Sequence, residues 1–253
     1  MCRLLGIYGP VKSWREILSD FQELSEKGKI PNIPNVLPGH KDGWGMACSK
    51  HDGSGMDLVG KYLGSAREAP EYREKVHNFQ SQPHTFLCHL RKASPSIPIS
   101  LPNCHPFLSA GWAFIHNGTV YKAENLENAS RFQMTSDNSD SEFLFHYLLR
   151  HILEEESIEH RIERLIESLL KMNLKFSSLN SILSNGSEMY VIRYAAEHHD
   201  YFTLFYNETG SGVIVSSELI GVQEVREGIW TEMQNRSVLS ISSDSPKAKL
   251  TRF

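Results

Sequence analysis

Apolar residues recur along this chain at two periods, and the switches between them mark its elements. Leu4, Leu5 and Ile7 read as a buried strand directly behind Met1-Cys2-Arg3. Trp14, Ile17, Leu18, Phe21 and Leu24 then follow a helical spacing that stops at Gly28. They predict a helix over about 13–27, with Ser13-Trp14-Arg15-Glu16 as a capping box. Pro31, Pro34, Pro38, Gly39 and Gly43 make residues 29–43 a long loop. Trp44 to Ser49 and Met56 to Leu63 predict strands around the turn-rich stretch 50–55, and a helix is expected through 68–79. Thr85 to Leu90 is a buried strand running into Arg91, followed by a loop with Pro95, Pro98 and Pro102. Trp112 to Ile115 is another strand, ending at His116-Asn117-Gly118. Asp137 to Glu142 cap an apolar helix from Phe143 to Ile152, and a second helix is expected over about 157–172. After Gly186 the pattern turns to short β-like runs: Met189–Tyr194, Tyr201–Tyr206, Val213–Ser216, Ile229–Met233 and Val238–Ile241. Strands, two consecutive helices and strands again suit an α+β domain over 1–253, with two sheets against helices.

Composition narrows the function classes. With 40% apolar and 22% charged residues the chain is that of an ordinary globular protein. A net charge of −4 offers no basic footprint for nucleic acid. No apolar run reaches bilayer length and the start has no secretory pattern, so no membrane partner is expected. Cys2, Cys48, Cys88 and Cys104 are scattered without a CxxC pair, which points to a reducing compartment, the cytoplasm. The 12 histidines include His198-His199-Asp200, but no ligand spacing for a metal appears and no cofactor motif is present.

Four places carry reactive groups, each with a plain structural explanation beside it. Cys2 could be a small hydrophobe opening a strand. With Met1 removed it would instead hold a thiol and an α-amine, nucleophile and base on one residue. Arg91 could be a charge leaving a strand, Asn117-Gly118 a hairpin turn, and Asp140 a helix cap.

Taken together, six blocks in order point elsewhere: Cys2-Arg3-Leu4-Leu5-Gly6, His40-Lys41-Asp42-Gly43-Trp44-Gly45, His89-Leu90-Arg91-Lys92-Ala93, Asn103-Cys104-His105-Pro106-Phe107, His116-Asn117-Gly118 and Ser139-Asp140-Ser141-Glu142. They resemble class II glutamine amidotransferases, which are N-terminal-nucleophile hydrolases, and in length the stand-alone YafJ-type subfamily. The clear likeness covers about residues 1–142; Val215-Ser216-Ser217-Glu218 is the one later stretch that shares it. The resemblance implies a four-layer αββα sandwich. It also implies that ammonia is released from the glutamine side-chain amide through a thioester on Cys2. By the same resemblance Asn117 and Gly118 form an oxyanion hole, Arg91 holds the substrate α-carboxylate and Asp140 its α-ammonium. Ser94 and His105 line the pocket, and Asp42, Gly43 and Trp44 form a loop beside it. Lys92 departs from the aromatic residue of other members and carries no assigned role. No cofactor or metal is implied, and any ammonia acceptor is expected on a separate protein.

The residue chemistry agrees with that reading. Two preorganised N–H donors suit a developing oxyanion. A guanidinium fork suits a carboxylate better than an ammonium does. An amidase acting on a γ-glutamyl compound or peptide would use the same head-group contacts. A non-catalytic module retaining Met1 is the alternative of another class.

Overall fold

A computed structural model describes residues 2–30, 38–94, 97–126, 132–155, 157–221, 229–243 and 245–253. The expected loop over 29–43 therefore lies partly, at 31–37, outside the described residues, as do Met1 and Pro95.

Thirteen strands and four α-helices are described. The strands are β1 (Cys2–Tyr8), β2 (Gly43–Ser49), β3 (Met56–Tyr62), β4 (Thr85–Arg91), β5 (Phe107–Ser109), β6 (Trp112–Asn117), β7 (Asn180–Ser184), β8 (Glu188–Arg193), β9 (Phe205–Glu208), β10 (Val213–Ser216), β11 (Thr231–Glu232), β12 (Ser237–Ser242) and β13 (Ser245–Arg252). The helices are α1 (Trp14–Lys27), α2 (Pro70–His77), α3 (Asp140–Leu153) and α4 (Ile158–Lys171). One sheet runs β11-β9-β10-β1-β4-β2-β3 and the other β13-β12-β8-β7-β6-β5; the described pairings are antiparallel.

The period of two in the strands builds the layers. On β1, Leu4 and Tyr8 face the second sheet while Leu5 and Ile7 face α1. On β6, Ala113 and Ile115 face the first sheet, and Trp112 and Phe114 face α3 and α4. The core therefore has three slabs: one under α1 and α2, one between the sheets, one under α3 and α4. This is the four-layer αββα sandwich expected from the resemblance.

Local signals explain most boundaries, with some corrections. Ser157 caps α4 by accepting the His160 N–H. The Ser13 side chain makes no capping bond to α1, so the expected capping box does not form. The cap position of α3 is Ser139, and Asp140 is its first helical residue. Tyr201–Tyr206 is not one strand. Tyr201 and Phe202 pack in a small cluster with Ala195, and β9 begins only at Phe205. Asn117-Gly118 is not a hairpin turn, because β6 pairs with β7 some sixty residues on, at Asn117↔Asn180.

Candidate active site

The site forms where β1, β4 and β6 end side by side. β1 and β4 pair with Cys2 opposite Arg91 and Leu4 opposite His89. Since Leu4 and Leu87 face the space between the sheets, alternation puts Cys2, His89 and Arg91 on that same inner face. Asn117 comes from the opposing sheet, in step with the inward Ala113 and Ile115. The Cys2 N–H donates to Asn117 Oδ1 at 2.7 Å, joining the two sheets at Cys2. That assigns the amide: oxygen toward the Cys2 nitrogen, Nδ2 away from it.

Asn117 is fully buried, and its Nδ2 has no hydrogen-bond partner. A buried donor left unmet costs roughly 1–3 kcal/mol, so such a group is normally satisfied or reserved for a ligand. Arg91 is also buried; Nη2 donates to the Pro98 carbonyl at 2.9 Å, whereas Nη1 has no partner. A small cleft, open to solvent, lies beside Cys2 and Arg91. It is lined by Cys2, Arg91, Ser94, His105, Gly118 and Asp140, among others.

The Cys2 thiol is acidic for a buried group. Burial raises it, but the positive chain terminus and His89 outweigh that and bring it down to about 6. His116 and His105 go the other way. Burial lowers His116 to about 4 and holds His105 well below its ordinary value, so both are neutral imidazoles. They are wired as such. His105 Nδ1 accepts the His116 N–H at 3.1 Å, and the His116 ring bridges Ser141 Oγ at 2.9 Å and the Ser178 carbonyl at 3.1 Å.

Gly118 must be glycine for space: a Cβ would sit 1.9 Å from the Ser178 carbonyl oxygen. Asp140 accepts the Val120 N–H through Oδ2 at 2.8 Å, which aims the start of α3 at the cleft. Ser94 Oγ lies 3.4 Å from Thr119 Oγ1.

Of the ten residues expected at the site, six line the cleft. Asn117 sits directly behind Cys2. Asp42, Gly43 and Trp44, expected in a loop beside the pocket, are not among its lining residues. Trp44 points to the outer face of β2, fully buried and stacked on Tyr62 at 4.3 Å, because β2 alternates like its neighbours. Asp42 acts one step removed: it donates its N–H to the Arg91 carbonyl at 3.0 Å and accepts the Ala93 N–H at 2.7 Å, clamping the end of β4. Gly43 packs against Cys104 and the Tyr62 carbonyl.

His89, His116, Asn103, Ser139 and Ser141 also line the cleft but had no expected role. Alternation could have found His89, two residues before Arg91 on one strand face. The others come together only through tertiary structure. Among the described residues no group of His, Cys, Asp and Glu is arranged to hold a metal ion, and no helix is long and apolar enough to cross a membrane.

Two antiparallel sheets packed between helix pairs, with a cysteine opening the first strand at the inter-sheet cleft, define the N-terminal-nucleophile hydrolase class. The family model described as glutamine amidotransferases class-II matches residues 1–203, and the chain belongs to that family. Solved structures with this fold include the glutamine phosphoribosylpyrophosphate amidotransferase from B. subtilis complexed with ADP and GMP. It is 20% identical at a TM-score of 0.65, over 99% of this chain and 49% of that one, so this chain spans about half of its length. A glutamine aminotransferase class-II domain protein from Silicibacter pomeroyi is 22% identical at 0.61, over 100% and 99% of the two chains. A predicted glutamine amidotransferase from Pseudomonas aeruginosa PA01 is 18% identical at 0.56, over 98% and 95%. No curated protein sequence matches.

Proposed function

We propose that this protein hydrolyses the side-chain amide of glutamine, or of a related γ-glutamyl compound, with Cys2 as nucleophile once Met1 is removed. The observation that carries the reading is one cleft lined by Cys2, Gly118, Asp140 and Arg91, with Arg91 Nη1 buried and unpartnered and the buried Asn117 amide bonded to the Cys2 nitrogen.

The steps follow from the groups present. The Cys2 thiolate attacks the amide carbon, and the carbonyl oxygen takes the negative charge. Asn117 Nδ2 and the Gly118 N–H stabilise that oxygen. The Cys2 main-chain nitrogen, which donates to Asn117 Oδ1 and becomes the α-amine once Met1 is removed, passes a proton to the departing ammonia. Water then cleaves the thioester and releases the acid. Arg91 pairs with the substrate α-carboxylate and Asp140 with its α-ammonium. Neutral His105 and His116 form a wall that adds no competing cation beside Arg91. The finer likeness, to the stand-alone YafJ-type subfamily, is supported by neighbours covered over 99% and 95% of their chains.

The test joins intact mass with turnover. Protein that has lost one methionine is incubated with glutamine and a panel of γ-glutamyl amides and peptides. Ammonia and glutamate from glutamine support the glutaminase reading. Release only from a γ-glutamyl compound assigns the amidase. A processed protein that releases nothing from the whole panel refutes both, and Cys2→Ala must abolish whatever activity is seen. Retained Met1 with no turnover favours the non-catalytic module.

A further inference from the structure

The expected head-group contacts come from separate parts of the chain, Arg91 at the end of β4 and Asp140 at the start of α3. One buried side chain lies between them. Asn103, from the proline-rich loop, is 2% exposed and borders the cleft. Its Nδ2 donates to the Pro98 carbonyl at 3.2 Å, the same oxygen that accepts Arg91 Nη2 at 2.9 Å. Its Oδ1 accepts the Asp137 N–H at 3.0 Å, three residues before Asp140. A carbonyl at one end and an N–H at the other leave one orientation for the amide. A buried amide is costly unless both ends are met, and here both are.

The two ends are anchored beyond Asn103. Ser100 Oγ donates to Asp137 Oδ2 at 2.9 Å, a second strap from the same loop. On the helix side Glu142 accepts the Thr135 N–H at 2.9 Å and the Ser136 N–H at 2.7 Å. Ser136 Oγ in turn accepts the Ser139 N–H at 3.0 Å. The guanidinium, the Pro98 carbonyl, the Asn103 amide and the turn before α3 thus form one continuous hydrogen-bonded line.

We infer that Asn103 is a positioning residue, a spacer that sets the separation of the Arg91 cation and the Asp140 carboxylate and thereby selects substrates carrying both charges on one carbon. The inference rests on the roles given to Arg91 and Asp140 above. It adds that the separation of the two is set across the Asn103 amide as well as by the elements that carry them.

The experiment compares the processed wild-type enzyme with Asn103→Ala on L-glutamine and on glutaramate, the analogue lacking the α-ammonium. Losing one positioned hydrogen bond is expected to raise KM for glutamine about tenfold, with kcat within about twofold. KM for glutaramate moves little, so discrimination between the two narrows. The rate of Cys2 alkylation by iodoacetamide stays unchanged. A KM for glutamine within twofold of wild type, or an equal loss on both substrates, overturns the inference. Should Asn103→Ala not fold, Asn103→Asp, which keeps the shape and the acceptor for Asp137, is scored by the same criteria. Calorimetric binding of glutamine to Cys2→Ala separates the two readings. If Cys2→Ala binds glutamine and the Asn103→Ala double variant binds it equally well, the spacer fails alone. If Cys2→Ala binds neither glutamine nor any γ-glutamyl compound of the panel, the head-group reading fails and takes the spacer with it.

Discussion

Asn117→Ala tests the centre of the proposed reaction. Asn117 is fully buried, spends Oδ1 on the Cys2 nitrogen at 2.7 Å, and holds Nδ2 without a partner. In the ground state the change removes one buried hydrogen bond, about 1 kcal/mol of stability. In the transition state it removes a donor in a nearly dry site, where one such donor contributes about 3 kcal/mol. A difference of that size is roughly a 150-fold loss in kcat, since each 1.36 kcal/mol is tenfold. The assay is steady-state ammonia release from the best substrate of the panel, with thermal unfolding as a control for folding. Asn117→Asp sharpens it. The aspartate keeps an acceptor for the Cys2 amine but puts negative charge where the oxyanion must form, so it should lose at least as much. A folded Asn117→Ala with kcat within about threefold of wild type would refute the oxyanion-hole assignment, and with it the argument from unpartnered donors.

Three further outcomes are expected. A Cys2 thiol lowered to about 6 is mostly thiolate at neutral pH, so its alkylation rate should climb through about pH 6 and level off by neutrality; a midpoint near 9 contradicts the stated environment. Arg91→Lys keeps the charge but not the fork, and should raise KM for glutamine by about tenfold or more with a smaller effect on kcat; unchanged KM places the carboxylate elsewhere. His116, lowered by burial to about 4, and His105, held well below its ordinary value, bind protons in the unfolded chain before they do so in the folded one. Stability is therefore complete above about pH 6.5 and falls as the pH drops toward 4, by up to about 1.4 kcal/mol per pH unit for each such histidine. Urea unfolding at stepped pH reads this, and a stability that is flat over that range is incompatible with neutral buried imidazoles.

Helical periodicity carried far in this chain because α1, α3 and α4 each keep an apolar stripe against a sheet. β7 escaped notice for a physical reason. Asn180, Ser181 and Ser184 read as turn residues, yet all are buried and bonded, as when Asn180 Nδ2 donates to the Phe202 carbonyl at 2.9 Å. β13 escaped because Lys247, Lys249 and Arg252 make it look like a tail, when charge is what an edge strand at the end of a sheet needs. At the site, the six sequence blocks named the residues but not their pairing. That Cys2 lies opposite Arg91 is a matter of register, and that Asn117 meets Cys2 is a matter of which sheet faces which. Trp44 shows the limit from the other side, since its block was recognisable while its direction depended on the parity of β2.

Because Cys2 and Asn117 belong to different sheets, the gap between the proposed nucleophile and the proposed oxyanion donor is also the thickness of the slab that separates those sheets. That thickness is gauged well away from the cleft. At Gly6 there is so little room that a Cβ would come within 3.1 Å of Met189 Sδ and 3.2 Å of Ile182 Cδ1. The middle of the molecule thus works as a calliper. The side chains between the sheets close its jaws, and the chemistry at the chain terminus is read at its tips.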